Sequence, residues 1–251
     1  MAGHSHSANI KHRKNAVDAK RGKLFSKLSR AIIIAARNGG GDPDMNLPLR
    51  YAIDKAKQSS MPKDNIERAI AKGTGEAGGE AFEEVTYEGY GAGGVAILVE
   101  TATDNRNRTN GEVRKIFEKG GGRIGTPGSV AFQFDRKGLI IVSTEKTDEE
   151  TLMMVALEAG AEDIKNEGDY FSVITDPTTF NAVRDALLEN AIEAESAELA
   201  QIPQNPVEAD LDTARKILKL MDALDDHDDV QNVYSNVDIS DEVMAELDQE
   251  E

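Results

Sequence analysis

Two short runs of cations open the chain, Lys11-His12-Arg13-Lys14 and Lys20-Arg21-Gly22-Lys23, and Lys27 and Arg30 continue them at helical spacing. Ammonium and guanidinium groups at this density displace counterions from a phosphate backbone, so the chemistry they suit is capture of a polyanion. A second group comprises Arg106 and Arg108, followed by Arg114, Lys115, Lys119 and Arg123, set against Asp104, Glu112 and Glu118. It makes a locally positive patch in a half of the chain that is otherwise acidic. The candidate nucleic-acid-binding residues are therefore Lys11, His12, Arg13, Lys14, Lys20, Arg21, Lys23, Lys27, Arg30, Arg106 and Arg108. The competing interpretation of each is a solvated helix face.

Other chemistries find less support. Gly89, Gly91 and Gly94 match the dinucleotide-binding spacing GxGxxG. That motif needs a helix to follow the turn, so that its N-terminus can hold phosphates. Here Val95-Ala-Ile-Leu-Val99 follows, which reads as a strand, so the glycines are expected in a hairpin turn. The four histidines are His4, His6, His12 and His227, and none has an evident orienting partner of the kind a general base requires. The run Asp225-Asp-His-Asp-Asp229 could hold a divalent cation weakly, but reads better as a solvated turn. With no cysteine, disulfides and thiolate metal sites are excluded. The sequence thus implies no enzyme, no cofactor and no metal.

Charge is segregated along the chain. Residues 1–78 hold 15 Lys and Arg against 7 Asp and Glu, a balance of +8, whereas residues 79–251 hold 14 against 39, a balance of −25. Residues 1–41 alone carry nine cations and a single acid, Asp18. A basic head on an acidic body directs the approach of a polyanion and orients it. No apolar run approaches the ~20 residues that span a bilayer, and Met1 to Ser7 lack the apolar stretch of a signal peptide. A cytoplasmic protein with no membrane and no small-molecule substrate is the expectation.

The elements that must position these cations follow from periodicity. Residues 1–14 read as a mobile basic arm. From Val17, residues Leu24, Phe25, Leu28, Ala31, Ile32 and Ala35 share one face at 3.6 residues per turn. Lys20, Lys23, Lys27, Arg30 and Arg37 lie on a different arc, and Arg21 sits toward the apolar side. Gly39 to Gly41 end this helix, and two shorter helices start near Pro48 and Pro62. After residue 80 the period changes to two. Strands are predicted at 84–90, 95–101 and 130–134, with a helix opened by a capping box from Thr109 to Glu112. A β-α-β-β-α-β series occupies 138–143, 148–159, 162–167, 170–175, 177–190 and 193–201, the ferredoxin-like order. A last helix at 211–225 and strand at 230–237 complete what the earlier sheet lacks, and the acidic end, 241–251, is expected to fray. The predicted fold is α+β: a three-helix domain followed by two ferredoxin-like α/β domains, the second inserted into the first. The expected boundaries are 1–14 for the arm, 15–79 for the helical basic domain, 80–135 with 205–251 for the first ferredoxin-like domain, and 136–204 for the inserted one.

Several stretches are also familiar in type. Met1-Ala-Gly-His-Ser, His12-Arg-Lys14, Asp18-Ala-Lys-Arg-Gly-Lys23, Gly39-Gly-Gly-Asp-Pro43, Tyr87-Glu-Gly-Tyr-Gly91, Asp104-Asn-Arg-Asn-Arg-Thr109, Leu157-Glu-Ala-Gly-Ala-Glu-Asp163 and Asp228-Asp-Val-Gln231 resemble the YebC/PmpR family. That family takes in relatives of the mitochondrial translational activator of cytochrome oxidase. The resemblance runs in order along nearly the whole chain. It implies a three-domain fold, no enzymatic activity and no cofactor. It also implies a DNA-binding transcriptional regulator or, alternatively, a factor that binds ribosomal or messenger RNA and relieves stalling at proline-rich stretches. A ligand-sensing role for the ferredoxin-like domains is a third, weaker reading. The chain departs from the family at His6-Ser7, where a Lys-Trp pair is common, so one base-stacking aromatic is missing.

Overall fold

The computed structural model describes residues 21–76, 78 and 82–249. Lys11, His12, Arg13, Lys14 and Lys20 lie outside the described residues, as does the side chain of Arg21. The described chain divides into two units, residues 21–131 with 210–235 and residues 132–209 with 236–249.

The first unit opens with three helices, α1 (Arg21–Gly39), α2 (Leu47–Gln58) and α3 (Lys63–Gly73). The apolar stripe of α1 buries Leu28, Ile32, Ile33, Ala35 and Ala36 against Leu49, Ile53 and Ala56 of α2 and Ile66 and Ala69 of α3. Asn46 fastens the corner between α1 and α2. Its side-chain oxygen accepts from the Leu49 N–H at 3.2 Å, capping α2, while its amide donates to the carbonyls of Ala35 and Gly40, each at 2.7 Å. One buried side chain thus satisfies orphan groups at two helix ends.

Next comes a four-stranded antiparallel sheet, order β3-β1-β2-β9, built from β1 (Glu83–Tyr90), β2 (Ala96–Thr103), β3 (Arg123–Ile124) and β9 (Val230–Ser235). Helices α4 (Arg106–Lys119) and α7 (Leu211–Asp225) pack together against it. The layout is the same two-helix, four-strand plait as in the second unit, with the chain passing through it as β-β-α-β-α-β. The glycine-rich stretch after β1 is the hairpin turn: the Gly91 N–H donates to the Val95 carbonyl at 2.8 Å, and Gly93 and Gly94 take positive φ angles of 66° and 77°. Gly89 is needed for another reason. A Cβ there would stand 2.5 Å from the Phe117 ring of α4.

The second unit is ferredoxin-like. Strand β4 (Phe134–Ser143), α5 (Glu149–Glu158), β5 (Ala161–Asn166), β6 (Tyr170–Thr175), α6 (Phe180–Glu189) and β7 (Ser196–Pro203) form an antiparallel sheet in the order β5-β6-β4-β7. Leu139 to Val142 of the central strand are buried, with Leu152 and Ala156 of α5 and Phe180, Val183 and Leu187 of α6 completing the core. A short parallel pair joins β8 (Val207–Glu208) to β10 (Val237–Asp238).

Three local expectations change. The strand predicted at 130–134 is a 3-10 turn, Ala131–Gln133, and Phe134 begins β4. The reason is Glu88, whose buried carboxylate accepts from the N–H groups of Gly128, Val130 and Ala131 at 2.6, 2.7 and 2.8 Å. Those donors are committed to a side chain and cannot join a ladder. The helix expected to open at the Thr109 capping box starts a turn earlier, with Asn105 as cap. Residues 241–249, expected to fray, are helical as α8 (Asp241–Gln249).

Candidate nucleic-acid interface

Of the basic candidates on α1, the described ones are not the open row that the helical arc implies. Lys23 donates to the Asp226 carbonyl at 3.0 Å. Lys27 reaches the Asp225 carbonyl at 2.6 Å and its carboxylate at 2.9 Å, with only 15 % of its side chain exposed. Arg30 donates to the Asp228 carbonyl, lies 3.5 Å from the Asp229 carboxylate and stacks over the Phe82 ring. The acidic turn between α7 and β9 therefore takes up Lys23, Lys27 and Arg30. It is not the solvated loop its composition suggested.

Asp229 is the centre of that turn and is 2 % exposed. Its Oδ2 accepts from Arg108 at 2.8 Å, from the Thr109 hydroxyl at 2.7 Å and from the Thr103 hydroxyl at 3.2 Å. Burial alone would raise its pKa, but hydrogen bonds from Arg108 and Thr109, with the charges of Arg108 and Arg30, hold it below the ordinary carboxylate range. Arg108 is shifted upward in turn, chiefly by its bond to Asp229 and then by Asp104, 2.8 Å away. His227 has partners that its sequence context hid. Its Nδ1 accepts from the Asp229 N–H at 3.1 Å, which leaves Nε2 to donate to Glu112 at 2.8 Å. Among the described residues no group of three or more His, Cys, Asp or Glu is arranged to hold a metal ion. None of the described helices is long and apolar enough to cross a membrane.

Arg106 is placed differently from Arg108. It is the first residue of α4, exposed, and makes no ion pair or hydrogen bond among the described residues. A cation in a first helical turn opposes the helix dipole, at a cost of about 0.3–1 kcal/mol. Asp104 and Asp229 offset that for Arg108, whereas no ion pair or hydrogen bond among the described residues offsets it for Arg106. Starting the helix at Arg106 puts Asn110 and Arg114 in the same row, four and eight residues on. Together with Asn107 they line a cleft of about 260 Å³ whose other walls include Val85 and Tyr87 of β1, Ile124 of β3 and Pro127. Asn107, Asn110 and Arg114 are exposed and, like Arg106, without partners among the described residues. Sequence reading placed Arg114 in the basic patch but missed the two asparagines and Tyr87. The spacing from Arg106 points to Asn110 once the helix start is set correctly, whereas nothing in the local sequence links Tyr87 of β1 to that row.

The glycine turn, the buried Asp229 and the Asn105-Arg106-Asn107-Arg108-Thr109 cap all fall within stretches matched by one set of relatives. The family model described as TACO1/YebC second and third domain matches residues 82–237, and that of the TACO1/YebC N-terminal domain matches residues 5–76. The chain belongs to the TACO1/YebC family. A probable transcriptional regulatory protein of Rubrobacter xylanophilus is 56 % identical over 249 residues, covering 98 % of this chain and 99 % of that one. One of the same description from Halothermothrix orenii is 55 % identical over 253 residues, with both chains covered completely. The crystal structure of a conserved hypothetical protein from Aquifex aeolicus superposes with a TM-score of 0.81 at 48 % identity, over 90 % of this chain and 93 % of that one. In this TACO1/YebC protein, Arg106 and Arg114 of α4 are exposed and have no ion pair or hydrogen bond among the described residues.

Proposed function

We propose that this TACO1/YebC protein is a non-enzymatic, nucleic-acid-binding regulator of gene expression that acts on DNA as a transcriptional regulator. The observation that carries the proposal is the segregation of charge, +8 over residues 1–78 against −25 over residues 79–251. Phosphate contacts made by such a head supply sequence-independent affinity, and the acidic body keeps the polyanion on one side. The relatives named as probable transcriptional regulatory proteins support the same reading. Capture rests on Lys11, His12, Arg13, Lys14, Lys20 and Arg21 in the N-terminal segment and on Arg106 beside the cleft. Lys23, Lys27, Arg30 and Arg108 contribute only where a phosphate displaces the carboxylate or carbonyl each now holds.

A second reading, binding of ribosomal or messenger RNA, draws on one feature. The free cations line a recess, and a recess suits an unstacked strand better than a duplex groove does. Sedimentation of lysate after nuclease treatment separates the two. Absence from ribosomes together with footprints at specific promoters supports the DNA reading, and co-migration with large subunits or whole ribosomes supports the RNA reading. No affinity for either at low salt would remove both.

A further inference from the structure

The cleft beside α4 combines features that no surface salt-bridge network needs. Two guanidinium groups, Arg106 and Arg114, stand on one helix face with no carboxylate to neutralise them among the described residues. Two turns of helix, about 12 Å, separate them along the axis. Between them lie the amides of Asn107 and Asn110, each able both to donate and to accept. Val85, Ile124 and Pro127 add apolar surface.

Tyr87 is the independent observation. It is 8 % exposed, and its hydroxyl is buried without a hydrogen-bond partner. Tyr87 shares a face of β1 with Gly89, the residue that meets Phe117 of α4, so the ring runs toward that helix. The charge of Arg106 acts on its hydroxyl, opposing the upward shift that burial imposes. An orphaned phenol at this depth is destabilising, because its hydroxyl has given up water without gaining a partner. The cost is recovered if a ligand supplies the missing partner. Glu88, next along β1, is not available to a ligand, because three backbone N–H groups occupy its carboxylate.

We infer that this cleft seats one unstacked nucleotide of a single-stranded nucleic acid, with its phosphates on Arg106 and Arg114 and its base among Asn107, Asn110 and the Tyr87 hydroxyl. The assignment rests on the nucleic-acid reading above and names its ligand more closely. A duplex offers phosphates but, with its bases paired and stacked, no splayed base to enter a recess of amides and a phenol. A single strand offers both.

The test uses the full chain, a fluorescent 12-nucleotide single strand and the matching duplex, in anisotropy titrations over a range of salt. Wild type is expected to prefer the single strand. The pair R106Q/R114Q is expected to weaken single-strand binding at least tenfold and to flatten its salt slope by about 1.4, since each phosphate contact contributes about 0.7. The fold should be untouched, because neither side chain has an ion pair or hydrogen bond among the described residues. Y87F is expected to weaken single-strand binding severalfold without lowering the melting temperature, an effect that a purely structural tyrosine would not produce. Undiminished single-strand binding by R106Q/R114Q or by Y87F, or equal wild-type affinity for strand and duplex, overturns the assignment. In those cases the broader reading survives so long as wild type binds either probe. If wild type binds neither, that reading falls and the site falls with it.

Discussion

Asp229 and Lys27 show how the environment of a single residue sets its role. Asp229 balances two arginines and two threonine hydroxyls while almost wholly buried. Asp229→Ala leaves those donors without an acceptor and is expected to cost about 3–5 kcal/mol of stability, read as the midpoint of a urea melt. Both Asp229 and Glu88 titrate below the ordinary carboxylate range, because hydrogen bonds and, for Asp229, cations outweigh the upward push of burial. The unfolded chain therefore takes up protons before the folded one does. Their stabilisation is complete above the ordinary carboxylate pKa and is lost as pH falls through it toward the depressed values. Urea melts from about pH 6 down to pH 3 should show this as a falling acid limb, less steep in Glu88→Gln. Lys27 carries the opposite lesson for functional tests. Lys27→Glu would set a carboxylate against Asp225 in a half-buried contact and is expected to cost about 1–2 kcal/mol. Loss of binding in that variant would report on folding, so a thermal melt must accompany it.

At the scale of elements, glycines make the contrast clear. Gly89 lies in β1 where a Cβ would meet the Phe117 ring at 2.5 Å and the Arg123 carbonyl at 2.7 Å. Gly89→Ala is expected to cost about 1–3 kcal/mol by overpacking, measurable in a thermal melt. Gly111 is inside α4 and has nothing within 4 Å of where its Cβ would stand. Gly111→Ala is expected to raise stability by about 0.5–1 kcal/mol, because the unfolded chain loses freedom and the helix gains a better former. Strand β1 and helix α4, pressed together at Gly89, also present Tyr87 and the Arg106 row, so the same packing forms the walls of the cleft.

The whole molecule is an electrostatic dipole along its sequence, and the acidic turn after α7 partly cancels it by holding Lys23, Lys27 and Arg30. That leaves capture, as proposed above, to the N-terminal segment and to Arg106 beside α4, which has no ion pair or hydrogen bond among the described residues. R13E/K14E/K20E is expected to remove most DNA or RNA affinity in a binding titration. If about four to six phosphates are contacted, wild-type log K should fall with log salt at a slope of roughly −3 to −5 for duplex DNA. A triple variant that binds at wild-type strength would move the interface away from the N-terminal segment altogether.

Much of this architecture was legible in the residues. Apolar spacing alone gave the helix of residues 211–225 and the strand of 170–175 with the bounds the structure has, and the ferredoxin-like order of β4 to β7 followed from the alternation of periods. These are local properties: a stripe or an alternation must face a core, and a cap or a glycine must end the element. Local sequence was silent on which polar groups find each other across the fold. The carboxylate of Glu88 takes N–H groups about 40 residues away, turning an expected strand into a 3-10 turn. Lys27 meets Asp225 across a separation of 198 residues. By itself the sequence determined most of the elements, the charge segregation and the family to which the chain is similar. Only the tertiary structure decided which cations are neutralised and which stay free, because pairing depends on distance in space, and that distance exists only once α1, α4 and the acidic turn have packed.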